Sequence, residues 1–524
     1  MQPDLRRVIA ALALLVLASC APTLDLTVER TPSHALTPQV DTPLRAQLAP
    51  HIPAELSGFH LLADGRAALA ARLTLAARAT RTLDVQYYLF HNDASGKWIS
   101  AALLAAADRG VRVRVLIDDI DTADKEVGLA TLNTHPNIEV RLFNPFLARS
   151  TNVFVFGWQA IRDGVRLNRR MHNKAFIADN QLGITGGRNI GDEYFDAHAE
   201  FAFIDLDVLA AGGVVDAMSR SFDAYWNSDA VVPAAALPVR ISAQRLARAG
   251  ARLGAYAAER ARSAYGGEVA AADPLPALLS GRLAWHLAPA DLIVDPPEKA
   301  LDPAQPSSNL LVGQLAGLWI DPKARALIVS PYFVPGPMGM AYFRYWRHMG
   351  VKIDVLTNAY AASDVPVVHA GYANYRVPLL QAGVGLYELK PVGEPTGGRL
   401  RDLAHGSSRA SLHAKTFIFD DRHVFVGTFN FDPRSAVLNT EMGIVIHSAD
   451  FAREVERIAE DAMQPERSFR VTLANGTENT TDPRLRWSDI YEGVARQSDI
   501  EPDTTPLQRA LLRTLQALPI EPYL

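Results

Sequence analysis

The residues best placed to carry chemistry fall in two copies of one spaced pattern. The runs HNKAFIADNQLGITGGRN and HAKTFIFDDRHVFVGTFN both fit His-x-Lys-x4-Asp-x6-Gly-x2-Asn. At ordinary residue frequencies, five fixed positions match by chance roughly once in 10⁶ to 10⁷ starting points. Two copies in one chain therefore indicate a duplicated segment with a shared task. The fixed residues are His172, Lys174, Asp179, Gly186 and Asn189 in the first copy and His413, Lys415, Asp420, Gly427 and Asn430 in the second. All of them except the two glycines are the predicted catalytic residues.

The spacing within each copy brings an imidazole and an ammonium group to one side of the chain. Residues two apart on a strand point to the same face, so we expect His172 beside Lys174 and His413 beside Lys415. The motif asparagines would return to the same region as amide donors. If both copies face one cavity, they form an anion site in which two lysines hold the nonbridging oxygens of a phosphodiester.

This set of groups predicts phosphoryl transfer. One imidazole would attack phosphorus, while the other would protonate the leaving alcohol and then deprotonate the incoming hydroxyl. The chemistry requires no metal, and we predict neither a metal nor another cofactor.

Each ring also needs a carboxylate to orient its far nitrogen. Asp205 and Glu441 are the candidates, because each lies seven residues before the end of a comparable run, DLDVLAAG up to Gly212 and EMGIVIHS up to Ser448. Their distances along the chain from the motif asparagines differ, 16 residues against 11, which requires a short insertion in the first half.

The elements that must position these groups alternate between strand and helix. Apolar periodicity predicts a helix over 67–79, a strand over 83–90, a helix over 98–108 and a strand over 111–117, which together make a parallel βαβ unit. The run RGVRVRVLIDD from Arg109 lines up with MGVKIDVLTNA from Met349 at an offset of 240 residues. We therefore predict an α/β fold of two pseudo-twofold-related halves, each a mixed β-sheet flanked by helices, with the active site at their interface.

The N-terminus carries the features of a bacterial secretory signal. Arg6 and Arg7 precede an apolar run, and the run ends in Leu-Ala-Ser-Cys at Cys20, the one cysteine of the chain. This ending resembles the lipobox of bacterial lipoproteins, so we predict lipidation of Cys20 and an anchor on a membrane surface. An uncleaved anchor, or an ordinary signal with a chance cysteine, is the alternative. Ala21 rather than Asp follows the cysteine, which favours the outer over the inner membrane, with the protein in the cell envelope facing the periplasm.

The predicted organisation has six parts. They are a signal peptide over 1–19, a lipidated tether rich in Pro and Thr over 20–50, a first half over 51–235, a helical connector over 236–280, a second half over 281–465 and a C-terminal extension over 466–524.

The two motifs resemble the HKD motifs of the phospholipase D superfamily. Longer runs, among them SPYFVPG, GYANYRVPLLQAGVGLYELKP and VGTFNFDPRSAVLNTEMG, resemble the cardiolipin synthase C branch, and the likeness extends over about residues 55 to 465. The resemblance implies a covalent phosphatidyl-histidine intermediate, with His172 as nucleophile and His413 as acid and base. It also implies supporting salt bridges from Asp179 and Asp420. The phosphatidyl group would pass from phosphatidylethanolamine or phosphatidylglycerol to phosphatidylglycerol.

Other functions remain open from the sequence alone. The same chemistry would serve a phospholipase D hydrolase that releases phosphatidic acid, or a nuclease. A formal net charge of -5, from 52 basic and 57 acidic residues, argues against nucleic acid as a partner. A non-catalytic lipid-binding envelope lipoprotein is the alternative from another class. Nothing in the sequence indicates an oligomeric state.

Several further residues have two interpretations. Tyr87 and Tyr88 fit strand packing better than substrate contact, and Asp118 and Asp119 fit solvated loop carboxylates better than metal ligands. The aromatic stretch 332–346 fits helix packing, although it also suits an acyl-chain groove or a bilayer contact. The two remaining residues are Ser411, for which cavity and packing positions are equally favoured, and His369, for which a catalytic role is disfavoured.

Overall fold

The computed structural model describes residues 22–524 with short gaps. Outside the description are residues 1–21, 38, 123–124, 150–152, 199–201, 303, 319–320, 392–409, 475–483, 520 and 522–523, and the side chains of 153–156, 160 and 410. The predicted signal peptide and Cys20 lie outside the described residues.

The strands form two large mixed sheets and a small sheet that joins them. The strands up to residue 288 are β1 Ser57–Leu62, β2 Thr82–Tyr87, β3 Arg112–Asp118, β4 Ile138–Phe143, β5 Ala175–Ala178, β6 Leu182–Gly186, β7 Ala202–Ile204, β8 Asp207–Gly212, β9 Val231–Pro233 and β10 His286–Ala288. Those that follow are β11 Ala290–Val294, β12 Arg325–Val329, β13 Lys352–Asn358, β14 Gly385–Leu389, β15 Ala410–Leu412, β16 Thr416–Phe419, β17 His423–Gly427, β18 Met442–His447, β19 Ser468–Leu473, β20 Leu485–Tyr491 and β21 Val494–Ser498.

The two large sheets repeat one strand order. The first runs β10-β1-β8-β6-β5-β2-β3-β4-β9, and the second runs β11-β18-β17-β16-β12-β13-β14-β19-β20-β21. In the first sheet β2, β3 and β4 pair in parallel, and in the second sheet β12, β13 and β14 do the same. The outer neighbours of these strands pair with them antiparallel. The predicted fold of two related halves, each with a mixed sheet, is confirmed.

Helices cover the sheets. They are α1 Pro43–Leu48, α2 Gly65–Arg78, α3 Ala94–Asp108, α4 Glu126–Leu132, α5 Val153–Leu167, α6 Gly213–Trp226, α7 Ala243–Arg262, α8 Ala264–Ala271, α9 Leu275–Leu279, α10 Leu311–Gly317, α11 Gly336–His348, α12 Pro366–Ala373, α13 Arg376–Gln381, α14 Ala449–Ala462 and α15 Pro506–Gln516. Polar N-caps begin several of them; the Asp64 carboxylate accepts from the Ala67 N–H at 2.9 Å, and Asp93 accepts from Gly96 N–H at 2.9 Å. The predicted βαβ units correspond to β2–α3–β3 and β12–α11–β13.

The core that matters for the site lies between the two sheets. Leu116 and Val208 of the first sheet belong to one buried cluster with Leu327, Ile418 and Ile444 of the second. Parallel and antiparallel strands buried on both faces explain why these runs are continuously apolar rather than alternating. The shared cluster fixes the halves against each other and thereby fixes the two motifs.

The segment predicted as a tether is bonded to the first half at several points along its described length. In residues 22–50, Leu24, Leu44 and Leu48 are buried, and Arg30 donates to the Ser228 carbonyl at 2.7 Å. The Pro and Thr content that suggested a free linker instead gives an extended chain whose backbone is bonded to the first half. The prediction of a tether over 20–50 is corrected accordingly.

The boundaries at the other end also differ from the prediction. β10 pairs with β1 and β11 with β18, so the chain crosses between sheets at Pro289. The predicted C-terminal extension is part of the second half, because β19 pairs with β14 and carries β20 and β21 beyond it. α15 also joins this half, since Leu512 packs with Tyr360 and Ala370.

Across the part of the chain that the structure describes, every helix is too short or too polar to cross a bilayer.

Candidate active site

The first motif reaches the site through pairing with the other half. Met171 forms a parallel bridge with Thr440, and the His172 N–H donates to the Thr440 carbonyl at 2.9 Å. β5 begins only at Ala175, so His172 and Lys174 lie in the extended stretch between bridge and strand. The prediction that this pair lies within a strand is corrected, because the stretch pairs with the opposite half rather than with β2.

The second motif is held in the matching way. β15 pairs in parallel with β7 of the first half, and the His413 N–H donates to the Ile204 carbonyl at 2.8 Å. β16 begins at Thr416, after Lys415. Each motif histidine is therefore held by a main-chain hydrogen bond to the other half, so its position depends on how the two halves pack together.

The orienting carboxylates are exchanged between the halves. His172 Nδ1 lies 2.8 Å from Glu441 Oε2, and His413 Nδ1 lies 2.6 Å from Asp205 Oδ2. Both carboxylates directly follow the residue that bonds to the histidine of the other half, Thr440 and Ile204. All four side chains are buried.

These contacts fix which ring nitrogen is available. His172 Nδ1 faces two acceptors, Glu441 and the Thr428 carbonyl at 3.1 Å, so Nδ1 carries the hydrogen. Asp205 imposes the same tautomer on His413. In each neutral ring, Nε2 then has a free lone pair for chemistry.

Both histidine rings have strongly lowered pKa values and are neutral near pH 7. Burial lowers the pKa of His172 to about 4, although the charge of Glu441 opposes the shift. Burial also lowers the pKa of His413 to about 3, and the charge of Lys415 adds to this. The lysine effects cross between motifs, since Lys415 also lowers the pKa of His172 and Lys174 that of His413. The two motifs therefore share one electrostatic environment.

The lysines are poised to receive an anion. Lys174 Nζ donates to the His172 carbonyl at 2.8 Å, and Lys415 Nζ donates to the His413 carbonyl. Burial, and next the charge of Lys415, lowers the pKa of Lys174 to about 7. Burial lowers the pKa of Lys415 to about 8, against the pull of Asp205. Two buried ammonium groups that repel each other gain most when a phosphate oxygen lies between them.

Aromatic rings wall the histidines, and sequence reasoning missed most of them. The Tyr88 ring stands edge-on to His172 at 5.1 Å between centroids and lies 5.8 Å from Lys174 Nζ. Tyr194 and Phe203 flank His413 at 5.3 and 4.8 Å. Tyr88 was expected to pack within a strand, but β2 ends at Tyr87, and the chain then turns the next side chain to the site.

The motif asparagines and glycines shape the backbone around the site. The Asn189 carboxamide accepts from the Leu89 N–H at 3.2 Å and donates to the Tyr194 hydroxyl at 2.9 Å. Asn430 is buried, and its N–H donates to Ser435 Oγ at 3.3 Å. At Gly427, a Cβ would collide with the Met442 carbonyl, so the motif glycine permits close strand approach there.

The motif aspartates are not brought to the histidines. Asp179 follows β5, five residues or about 16 Å of extended chain beyond Lys174. Its carboxylate accepts from the backbone N–H groups of Thr80, Arg81 and Thr82 at 2.8–3.2 Å.

Asp420 makes the equivalent bonds to the N–H groups of Lys323, Ala324 and Arg325. The described partners of both carboxylates are backbone amides and the Thr80 hydroxyl, so the expected salt bridges are corrected to turn caps. Each aspartate bonds to the segment that leads into β2 or β12, at the opposite end of the strand from the site.

A buried polar network holds Glu441 in place. Thr428 and Ser435 hydroxyls donate to its two oxygens at 2.5 and 2.8 Å, and its N–H donates to Asp295 at 2.9 Å. Lys299 Nζ in turn donates to Asp295 at 2.8 Å. Burial raises the pKa of Glu441, but the nearby His172 and its hydrogen bond outweigh this and lower it overall. The carboxylate is therefore charged when it faces the ring.

Asp118 also supports the first motif, contrary to its expected place in solvent. It is fully buried and accepts from the Met171 N–H at 2.8 Å and from Arg170 at 3.1 Å. Asp119 is buried too and pairs with Arg149. Each aspartate has an arginine partner, but the partners lie 52 and 30 residues further along the chain, so no local sequence pattern reveals the pairs.

The structure also shows the surroundings of the other residues that had two interpretations. Ser411 is buried, with its hydroxyl 3.4 Å from the Leu412 carbonyl. His369 pairs with Glu501 at 3.0 Å, in a cluster that binds the C-terminal segment. In the aromatic stretch, Tyr332 donates to Asp364 at 2.7 Å and Phe343 is buried, so helix packing accounts for this part.

One cluster in the described chain has the residue types of a metal site. Donor atoms of His91, Asp93 and Glu193 lie within 4.8 Å of one another. His91 also lies 3.3 Å from Asp121, and hydrogen bonds to Asp121 and Glu193 raise its pKa to about 10. In this structure the ring and the carboxylates form an ion-pair network.

Comparisons with known proteins agree with this geometry. A family model described as "Cardiolipin synthase, PLD-like domain" matches residues 73–226 and 321–463. Cardiolipin synthase C of Escherichia coli K12 is 41% identical over 462 residues, which covers 87% of this chain and 93% of the relative. An uncharacterized Helicobacter pylori protein is 32% identical over 461 residues, 88% of each chain. The crystal structure of phosphatidylserine synthase from Haemophilus influenzae Rd KW20 shares the fold, with TM-score 0.54 at 14% identity over 80% of this chain and 88% of that chain.

Proposed function

The chain belongs to the cardiolipin synthase family with phospholipase D-like domains, and from that membership we propose that it transfers phosphatidyl groups between phospholipids through a covalent histidine intermediate. The observation that carries the proposal is the exchange of carboxylates between halves. Glu441 orients His172 and Asp205 orients His413, while each lysine acts on both rings. Two oriented imidazoles and two lysines in one environment suit in-line displacement at phosphorus.

The first step uses His172 as the nucleophile. Its Nε2 lone pair attacks the phosphorus of the donor lipid, and the bond from phosphorus to the headgroup oxygen breaks. His413 Nε2–H gives its proton to that oxygen, so the headgroup leaves as a neutral alcohol. Glu441 stabilises the positive charge that develops on the His172 ring, and the lysines hold the nonbridging oxygens.

The second step reverses these roles at His413. The hydroxyl of the acceptor lipid attacks the phosphorus, His413 Nε2 takes the hydroxyl proton, and the bond from phosphorus to His172 breaks. Asp205 stabilises the resulting imidazolium. Because the bound phosphodiester is anionic, it raises the pKa of His413 and lets the ring hold the proton that the first step needs.

The substrates follow from the family rather than from the geometry. We propose that phosphatidylglycerol is the acceptor, that phosphatidylethanolamine or phosphatidylglycerol is the donor, and that cardiolipin is the product. The name of the Escherichia coli relative supports the product. Water in place of the acceptor would give phosphatidic acid, so the product distinguishes transfer from hydrolysis.

We also propose that Cys20 carries a lipid anchor that holds the protein on a membrane of the cell envelope, facing the periplasm. The support is the signal-like run that ends at the single cysteine. Metabolic labelling with a radioactive fatty acid tests it. Label on the wild-type chain and none on Cys20→Ser supports lipidation, and equal label on both removes it.

The experiment on activity uses purified full-length protein and lipid mass spectrometry. Phosphatidylethanolamine with one acyl composition and phosphatidylglycerol with another are supplied together, so the composition of any cardiolipin reveals its donor. His172→Ala is the control. Cardiolipin supports the proposal, whereas phosphatidic acid alone indicates a hydrolase. Nicked plasmid DNA in a parallel incubation indicates a nuclease, and identical cellular phenotypes for wild type and His172→Ala indicate a binding protein.

A further inference from the structure

Helix α5 carries an exposed stripe of apolar side chains in addition to the buried Leu167. Its apolar side chains Trp158, Ile161 and Val165 recur at spacings of three and four, which places them on one stripe. They are 40%, 82% and 78% exposed. A helix on a soluble surface normally turns such a stripe to the core, so this stripe requires another environment.

The polar side of α5 faces the protein. Gln159 is buried, accepts from the Ala148 N–H and donates to the Ala148 carbonyl, both at 2.9 Å. Arg166 donates to Asn144 and to the Pro145 carbonyl, the latter at 3.1 Å. These bonds fix the rotation of the helix, so the outward stripe is a feature of the fold.

The same helix leads directly into the active site. Asn144 donates to the Arg166 and Arg169 carbonyls at 2.9 and 2.7 Å, and its own carbonyl accepts from Arg170 at 3.0 Å. His172 follows two residues later. β4 runs parallel to β3, so α5 leaves the sheet at the edge where Asp118 supports the motif.

The second half contacts the chain at the end of α5. Asn168, just after α5, accepts from Arg434 at 2.8 Å. In the turn that Arg434 begins, Val437 is 58% exposed. An apolar side chain from each half therefore borders the region next to the motif.

The N-terminal chain also arrives at this place. The Arg149 N–H donates to the Pro22 carbonyl at 2.7 Å, and Thr23 forms a bridge with Ala148, the residue that Gln159 holds. Cys20 is two residues before Pro22, a distance of about 7 Å at full extension. A lipid anchor on Cys20 would thus bring the membrane surface close to α5.

We propose that the outer face of α5, formed by Trp158, Ile161 and Val165, rests in the interfacial layer of a phospholipid bilayer and holds the active-site edge against it. Trp suits the boundary between headgroups and acyl chains, and Arg162, with a 60% exposed side chain next to the stripe, suits anionic headgroups. A protein partner fits less well, because three side chains fall far short of the roughly 800 Å² per partner of a stable interface. The proposal rests on the proposed function for its substrate, but the position of the helix in the membrane is measured separately from turnover.

The experiment places a nitroxide label on Ile161→Cys in full-length protein reconstituted into vesicles of phosphatidylethanolamine and phosphatidylglycerol. Val494→Cys, 64% exposed on the outer strand β21, is the matched control, and the parent chain shows any background from Cys20. Collision with oxygen, which enters lipid, is compared with collision with a water-soluble nickel chelate. We expect the label at 161 to lose on the order of tenfold in nickel collisions relative to 494 while oxygen collisions rise.

Equal nickel access at 161 and 494 in vesicles that support transfer would overturn the proposal and leave the proposed function standing. Shielding of 161 from both quenchers would assign the face to a protein partner and also overturn it. A lipid-exposed label in protein that shows no transfer would support docking and remove the function instead.

A second variant measures the consequence for turnover. The pair Ile161→Asp and Val165→Asp should slow transfer roughly tenfold on vesicles, because each loses apolar burial. Transfer between short-chain lipids dissolved as monomers should be unchanged, as should transfer by Val494→Asp on vesicles. An equal loss on both substrates would mean that the changes damage the site, which contradicts a docking role.

Discussion

Glu441, in the second half, lies 2.8 Å from Nδ1 of His172, in the first half, although the two are 269 residues apart in the chain. The pair exists only when the halves are docked. Asp205 and His413 repeat it in the opposite direction at 2.6 Å. The two histidines are therefore completed by each other's half, so neither half alone holds an oriented imidazole.

Glu441→Gln should lower kcat by a factor on the order of 10² to 10⁴ with little change in KM, because the amide keeps the shape but no longer stabilises charge on the His172 ring. Loss of the carboxylate also lowers the pKa of His172 further, since Glu441 raises it in the wild type. Steady-state transfer kinetics measure both constants. Glu454→Gln, at a partly exposed position, is the matched control. A KM effect with unchanged kcat would contradict an orienting role.

Binding of sulfate, an anion that does not itself titrate in this range, should take up protons at about pH 8. The anion raises the pKa of Lys174 from about 7 and of Lys415 from about 8, so lysines that are partly neutral at this pH become charged. Titration calorimetry in buffers of different ionisation enthalpy counts these protons. Proton release at about pH 8, or no uptake there, would show that the lysines do not face the anion.

Asp179→Ala should destabilise the fold by about 1–3 kcal/mol, because three backbone N–H groups lose a charged acceptor. Asp420→Ala should cost less, since the Lys323 and Ala324 amides that it binds are exposed. Urea unfolding measures the difference. Turnover per folded molecule should be retained in both, and its loss in a stable variant would return these aspartates to the catalytic set.

Tyr88→Phe should retain most activity, whereas the activity of Tyr88→Ala should fall about tenfold. The reason is that the ring of Tyr88, and not its hydroxyl, shields His172 from water. Water in the gap would weaken the burial that lowers the pKa of His172. The pKa of that ring, followed by NMR in both variants, checks the cause. Equal losses for Phe and Ala would instead assign the role to the hydroxyl.

Much of this architecture can be predicted from the sequence because it is repeated. The βαβ units and the HKD-type spacing each occur twice, and duplicated patterns reinforce one another. The candidates Asp205 and Glu441 were reachable from strand alignment alone. Which histidine each one binds was not, because the exchange depends on docking between halves and leaves no local pattern.

Other features were missed for equally physical reasons. Residues 22–50 have no periodicity, since their order comes from backbone bonds to the first half rather than from an apolar face. Asp118 looked solvated because its arginine partner lies 52 residues further on. The motif aspartates looked catalytic because they share the spacing, but strand length carries them to the far end.

The central claim is that phosphorus becomes bonded to His172 while His413 serves the proton transfers. His413→Asn removes both the acid for the first step and the base for the second. With a donor lipid whose leaving group is p-nitrophenolate, which departs without a proton, the phosphatidyl enzyme should therefore form and accumulate. Rapid quenching at alkaline pH, followed by peptide mass spectrometry, locates the adduct. The account predicts a phosphatidyl group on the peptide that contains His172 and none in His172→Ala. An adduct on His413 in the wild-type chain, or full transfer by His172→Ala, would contradict the account.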